Sequence, residues 1–454
     1  MKGKLSEKLN KEITAASVTA FLSRHVEHIC VAVVCLFLCS PIMEMVICFF
    51  NETDRHFTLN HYPLIILNWI LPVSTVLAVI VYGTLAGRAV TQRTGLLRCF
   101  FRRRAYLFFD LMVFWILLSS VVTKTTHMWS LYDVYRNEPN KLVAAYYLVF
   151  FFCAAQVRSP EKKERIVLFA VVLSVVLGIY STVRYHLVSL GRDVSISRYS
   201  VAVFFNNNHY GYYLAVHIML SSGLFALSEK RSFRAVGLAA LAINTAVLAM
   251  NNTFGAWLAC CAAFVFQFVV LWIVRRRMDW RTPVGLGVFL LVTLLMSSRT
   301  QDILRSFVQF MDDVESIRAD SAHADEAGSG RWIIWKLTVS MIAERPVFGY
   351  GAEGINDALY QATQNTRPHN EILQHAAFYG IPAAVLYVCG VMSVYLNGYR
   401  QRAALDAPSL LCLIGAFGYF VSSLFGNTMF YTAPFFFLFL GMGYFHGGSK
   451  EDAA

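Results

Sequence analysis

Two residues in the chain combine a reactive type with a setting that suits phosphate chemistry. Arg331 follows Gly328-Ser329-Gly330 and opens a predicted helix. A guanidinium fork binds phosphate oxygens in pairs, and a helix start adds backbone N–H donors and a favourable dipole. His369 follows Pro368 at the mouth of another predicted helix, where an imidazole can exchange a proton near neutral pH. Spacing alone also allows a snorkelling arginine and a capping or interfacial histidine. Arg184, Arg192 and Arg198 flank a second polar stretch; they could add positive charge to the same place or be ordinary loop charges. Glu371 and His375 lie one turn apart, but the order is not HExxH and no third ligand is evident, so no metal is expected. Glu44 sits near the end of an apolar run, and a carboxylate there is a candidate by default. The ten cysteines fall almost entirely inside apolar runs or at their ends, with no disulfide or zinc spacing, and read as small packing residues.

The elements that must hold these residues are membrane helices. The 454 residues are 57% hydrophobic and only 15% charged, with a mean hydropathy of +0.52. A span needs roughly 20 apolar residues. Runs of about that length fall near 29–50, 62–87, 105–125, 141–157, 165–187, 209–228, 233–250, 254–275, 282–298, 372–396, 408–426 and 430–446. The expectation is an all-α polytopic membrane protein of about 12 transmembrane helices, a single membrane domain over 1–454. The basic, polar first 28 residues and the long first run argue against a cleaved signal peptide. The net charge of +11 resides mostly in alternate short loops, as the positive-inside rule requires, so no nucleic-acid partner is expected. Both termini are then expected in the cytoplasm.

One outer segment, 299–370 between runs nine and ten, is long enough to fold as a helical subdomain. Ile303, Phe307, Phe310, Val314 and Ile317 recur at helical spacing, predicting an amphipathic helix on the membrane or against the bundle. An acidic stretch, DSAHADEAGSG, is expected to be mobile. A second helix from Arg331 should bear a stripe of Trp332, Trp335, Val339 and Ile342, and should stop at Pro346. A glycine turn with Gly349, Gly351 and Gly354 follows, and then Arg367-Pro368-His369-Asn370.

Read together, GSGRWIIWKLTVSMIAERPVFGYGAEG and RPHNEILQHAAFYGIPA resemble the O-antigen ligase and polymerase family of bacterial membrane glycosyltransferases. The pattern is G-R, then W, then a helix, then P-x-x-G-x-G, then H-N-x-x-L-Q before G-I. It falls here on Arg331, Trp335, Pro346, Gly349, Gly351, His369, Asn370, Leu373, Gln374, Gly380 and Ile381. Upstream, FFNNNHYGYYL (204–214) and MNNTFGAWLA (250–259) resemble two further family segments. Phe254 stands where many members carry an arginine that helps hold pyrophosphate. That leaves a variant subgroup, a substitute such as Arg198 or Arg184, or lost activity.

The resemblance implies transfer of a glycan from undecaprenyl pyrophosphate to a hydroxyl of a glycan or glycolipid acceptor. The reaction would run on the outer face of the bacterial cytoplasmic membrane, among membrane lipid, with no metal and no cofactor. It implies that Arg331 stabilises the pyrophosphate and that His369 orients or deprotonates the acceptor hydroxyl, or contacts phosphate. Asn370 would support His369, and the ends near Asn208 and Phe254 would form the other wall. Ligase and polymerase are not separated by these motifs. A transporter or flippase of glycans, or a silent glycan-binding homologue, are the competing readings. The former fits poorly with a long loop placed after run nine and with halves that do not look alike.

Overall fold

Inside a bilayer each backbone N–H and C=O needs a partner within the protein, so apolar runs of span length fold as helices. The computed structural model describes residues 15–50, 71–84, 104–124, 140–189, 202–204, 206–276, 279–320, 323–427 and 432–446. Among these every regular element is helical. In chain order they are α1 (Ala15–Leu38), α2 (Ser40–Phe50), α3 (Leu71–Thr84), α4 (Arg104–Val122) and α5. Helix α5 begins as Asn140–Ala145, widens into a π turn over Tyr146–Phe151 and closes as Phe152–Ala155. There follow α6 (Pro160–Ser189), α7 (Asn207–Leu227), α8 (Arg231–Asn251), α9 (Phe254–Arg275), α10 (Arg281–Leu295) and α11 (Ser297–Arg318). The rest are α12 (Ala327–Glu344), α13 (Gly351–Thr363), α14 (Glu371–Tyr379), α15 (Ile381–Arg400), α16 (Ala407–Ser423) and α17 (Ala433–Met442).

Seven stretches are long and apolar enough to cross a membrane: His25–Ile47, Arg104–Val122, Pro160–His186, Asn207–Leu227, Arg231–Asn251, Phe254–Arg275 and Ile381–Arg400. Shorter apolar helices occupy the other five predicted runs. The chain is a polytopic, all-helical membrane protein.

Helix α7 is the axis of the bundle. It is buried on every side from His209 to Leu227 and packs against α6, α8, α9, α10 and α16. A helix apolar all round has to sit inside its neighbours. Gly211 lets α9 approach: a Cβ there would lie 2.8 Å from the Cβ of Thr253. A second layer is aromatic. The π turn of α5 presses Tyr146 on Phe437 of α17 and Phe151 on Phe109 of α4, with centroids 5.8 and 4.8 Å apart.

The structure revises three details of the sequence reading. The run at 372–396 is not one helix. It breaks at Gly380 (φ +91°) into α14 and α15. The buried stripe of α12 is Ala327, Ile334, Thr338 and Ile342, while Val339 faces outward at 54% exposure. The acidic stretch, where described, is fastened: Asp325 pairs with Lys336, and Gly328 N donates to Asp313 Oδ2 at 2.9 Å. These contacts tie it to α11 and α12.

Candidate functional site

Four segments far apart in sequence meet at one end of α7. The first is the start of α7 itself. Asn206 caps it by accepting the Asn208 N–H at 2.7 Å. Two sequence motifs join here. Asn251 Nδ2 donates to Asn207 O (2.8 Å) and to Thr253 Oγ1 (2.8 Å), and Thr253 Oγ1 donates to the same Asn207 carbonyl at 3.1 Å. The α8–α9 corner is thereby locked to the start of α7.

The second segment is the start of α12. Gly328, Ser329 and Gly330 all have positive φ, at 63°, 59° and 79°. The right-handed helix therefore begins at Arg331, whose Nη1 donates to Gly328 O at 3.3 Å. Arg331 and Trp335 lie one turn apart and share a face. Trp335 Nε1 donates to Pro368 O at 2.9 Å.

That contact reaches the third segment, the strap 367–370. His369 has φ +54°, a backbone state that side chains other than glycine adopt at a cost. Asn370 caps α14: its Oδ1 accepts from Leu373 N (3.0 Å) and its Nδ2 donates to Leu424 O (3.1 Å). The fourth segment is the 424–427 turn after α16. Asn427 Oδ1 accepts the His369 N–H at 2.8 Å, Asn427 Nδ2 lies 3.5 Å from His369 Nδ1, and Tyr212 Oη donates to Phe425 O at 3.1 Å.

Burial and then the charges of Arg331 and Arg367 hold the His369 imidazole down at about 4, so it is neutral at physiological pH. The Arg331 charge also reaches Tyr212, and that of Arg367 reaches His209, which neighbours His369. Arg367 is 5% exposed. Two guanidinium groups beside a neutral imidazole give this place a positive field that favours an anion.

A latch outside the pocket holds the strap in register. Tyr350 N donates to Ala377 O (3.0 Å) and Ile381 N to Pro346 O (2.8 Å). Trp115 Nε1 donates to Tyr379 O (3.0 Å), and Ser119 Oγ donates to Phe348 O (2.6 Å), both from α4. The turn P-x-x-G-x-G and the G-I pair are thus two halves of one contact. Gly349 (φ +67°) and Gly380 face backbone so closely that a Cβ would lie 2.6 Å from Ala377 O and 1.9 Å from Val347 O, respectively.

Of the residues singled out from sequence, Arg331, His369 and Asn370 come together, and Asn208 lies one residue from His209 at the pocket edge. Arg184 donates to Tyr180 Oη at 3.1 Å on α6, one turn from Ser181, whose hydroxyl meets Tyr210 Oη of α7 at 3.2 Å. Arg198 and Arg192 lie outside the described residues. Phe254 faces aromatic rings, with Trp257 at 6.4 Å and Phe310 of α11 at 6.1 Å. Sequence reasoning passed over Arg367, His209 and Asn427. The first two adjoin residues it did choose, while nothing in spacing marks an asparagine 58 residues from its partner. Among the described residues, no three His, Cys, Asp or Glu side chains converge as metal ligands.

No curated protein matches the chain. The O-antigen ligase family model matches residues 237–388, a stretch that takes in Phe254, Arg331, the glycine latch, Arg367, His369 and Asn370. Over those residues the chain is similar to the O-antigen ligase family.

Proposed function

We propose that the chain is a membrane glycosyltransferase of the ligase or polymerase type. It moves a glycan from undecaprenyl pyrophosphate to the hydroxyl of a glycan or glycolipid acceptor, without metal or cofactor. In this reading the reaction faces the outside of the bacterial cytoplasmic membrane, with the 299–370 loop on that side and both termini in the cytoplasm. One observation carries it: the charges of Arg331 and Arg367 both act on a neutral His369, within the stretch that matches the O-antigen ligase family model. A diphosphate ester is the substrate group that such a cation pair suits.

As the glycosidic C–O bond of the donor breaks, charge grows on the departing diphosphate. Two guanidinium groups fixed beforehand lower that barrier without reorganising. Arg367 then supplies the second cation that Phe254 does not. The experiment is reconstitution in lipid nanodiscs with an undecaprenyl-pyrophosphate glycan and an acceptor glycan, following donor consumption and product on a gel. Product formation that drops at least ~10²-fold in His369→Ala is expected. Glycan movement across a liposome membrane without any joining would overturn the reading in favour of a flippase.

A further inference from the structure

Asn427 fixes how His369 can act. The amide oxygen accepts the His369 backbone N–H at 2.8 Å. A backbone N–H can only donate, so the amide is oriented with its oxygen towards the backbone and its NH2 towards the ring. Nδ2 then lies 3.5 Å from His369 Nδ1. An amide nitrogen can only donate, so Nδ1 is an acceptor. A neutral imidazole carries one proton, which therefore sits on Nε2. The asparagine is held in place from the same turn: Leu424 O accepts from Asn370 and Phe425 O accepts from Tyr212. Among the described residues, the charged and titratable groups that act on the ring are Arg331 on α12, Arg367 on the strap and His209 on α7, with Tyr212 beside Arg331.

We propose that His369 works as a hydrogen-bond donor through Nε2–H to an oxygen of the leaving diphosphate, not as the base for the acceptor hydroxyl, and that Asn427 is the positioning residue that sets this tautomer. The proposal rests on the transferase reading above. The acceptor oxygen forms its bond to the anomeric carbon while the bond from that carbon to the phosphate oxygen breaks. The electron pair of the broken bond stays on the diphosphate, and the hydroxyl proton leaves with it. His369 ends the step as it began, with its proton on Nε2. Both cations and the imidazole N–H then serve the same departing charge, and no group in the pocket is required to be basic.

The test is N427D in nanodiscs. A carboxylate can still accept the backbone N–H, and its other oxygen accepts from Nδ1–H. The ring proton moves to Nδ1, and Nε2 becomes a bare acceptor. If His369 is a donor, kcat falls ~10²-fold while the acceptor KM stays within about threefold. A base at His369 would be strengthened by the same change, so kcat held or raised would overturn the proposal. Thermal unfolding within a few degrees of the native protein is the folding control.

The tautomer can also be read without the variant. In histidine-labelled native protein, with the His369 signal assigned by its loss in H369Q, the 15N spectrum is expected to show a protonated Nε2 and an unprotonated Nδ1. A protonated Nδ1 overturns the proposal even if N427D fails to fold. If the native protein joins no glycan, the transferase reading fails, and with it the proposed role, while the spectrum still reports the tautomer.

Discussion

Trp335 donates its indole N–H to the carbonyl of Pro368 at 2.9 Å, which ties the helix opened by Arg331 to the strap that carries His369. Arg331 lies one turn before Trp335 on the same face, and His369 is the residue after Pro368. The arginine and histidine are thus held in register by a bond that touches neither of them. Trp335→Phe keeps most of the ring volume and removes the donor. The expected outcome is a roughly tenfold lower kcat/KM, the equivalent of one hydrogen bond of about 1.4 kcal/mol, with thermal unfolding little changed. Steady-state kinetics on the reconstituted protein checks it.

The two cations should be separable from each other. Arg331→Gln and Arg367→Gln are each expected to weaken donor use at least ~10-fold, and the double variant to lose much less than the product of the two, because both act on one diphosphate. Arg367→Lys should recover part of the loss by restoring charge without the fork. The measurement is donor consumption across the four variants and the native protein. Independent, multiplicative losses would argue that Arg367 serves something other than the shared anion.

The pH dependence has a definite sign. His369 titrates at about 4, below its ordinary 6.5, because it is buried beside Arg331 and Arg367. The unfolded chain therefore binds more protons than the folded one between those values. The histidine's effect on stability is absent above pH 6.5 and becomes a growing penalty as pH falls towards 4. The His369 ring should stay neutral down to about pH 4–5, and Arg367→Gln should move its titration upwards. The pH dependence of the His369 15N signal in both proteins decides this; titration near 6.5 in the native protein would contradict it.

Gly380→Ala should be among the most damaging single substitutions outside the pocket. The added Cβ would lie 1.9 Å from Val347 O, and φ +91° is a glycine conformation. A cost of at least ~3 kcal/mol is expected from strain and the broken latch. Lower yield of folded protein and a lower unfolding temperature are the readouts. Gly287→Ala, where a Cβ meets nothing within 4 Å, is the control expected to behave normally.

Much of this was legible in the sequence for physical reasons. Long apolar runs must become helices, so every predicted run contains one. GSG before Arg331 marks a helix start, and Pro346 stops α12 within two residues of its end. The motif order P-x-x-G-x-G then G-I was visible, although the contact between the two pieces was not, because a close backbone approach leaves only glycine behind as its sign. The stripe of α12 was misplaced because Trp332 and Val339 look as apolar as Ile334 and Ile342, and hydropathy does not say which apolar face meets protein and which meets lipid. Asn427 and Arg367 were missed because their roles come from tertiary proximity, to which local spacing is blind.

The latch at Gly349 and Gly380 and the Trp335–Pro368 bond pin the chain on both sides of α13, so the stretch from 351 to 364 is a closed excursion with anchored ends. For protein engineering, that makes α13 a cassette. Ile355 and Leu359 anchor it to the core and must stay apolar, so libraries belong on its exposed face, where Tyr360 stands, with Arg331, His369 and Asn427 untouched.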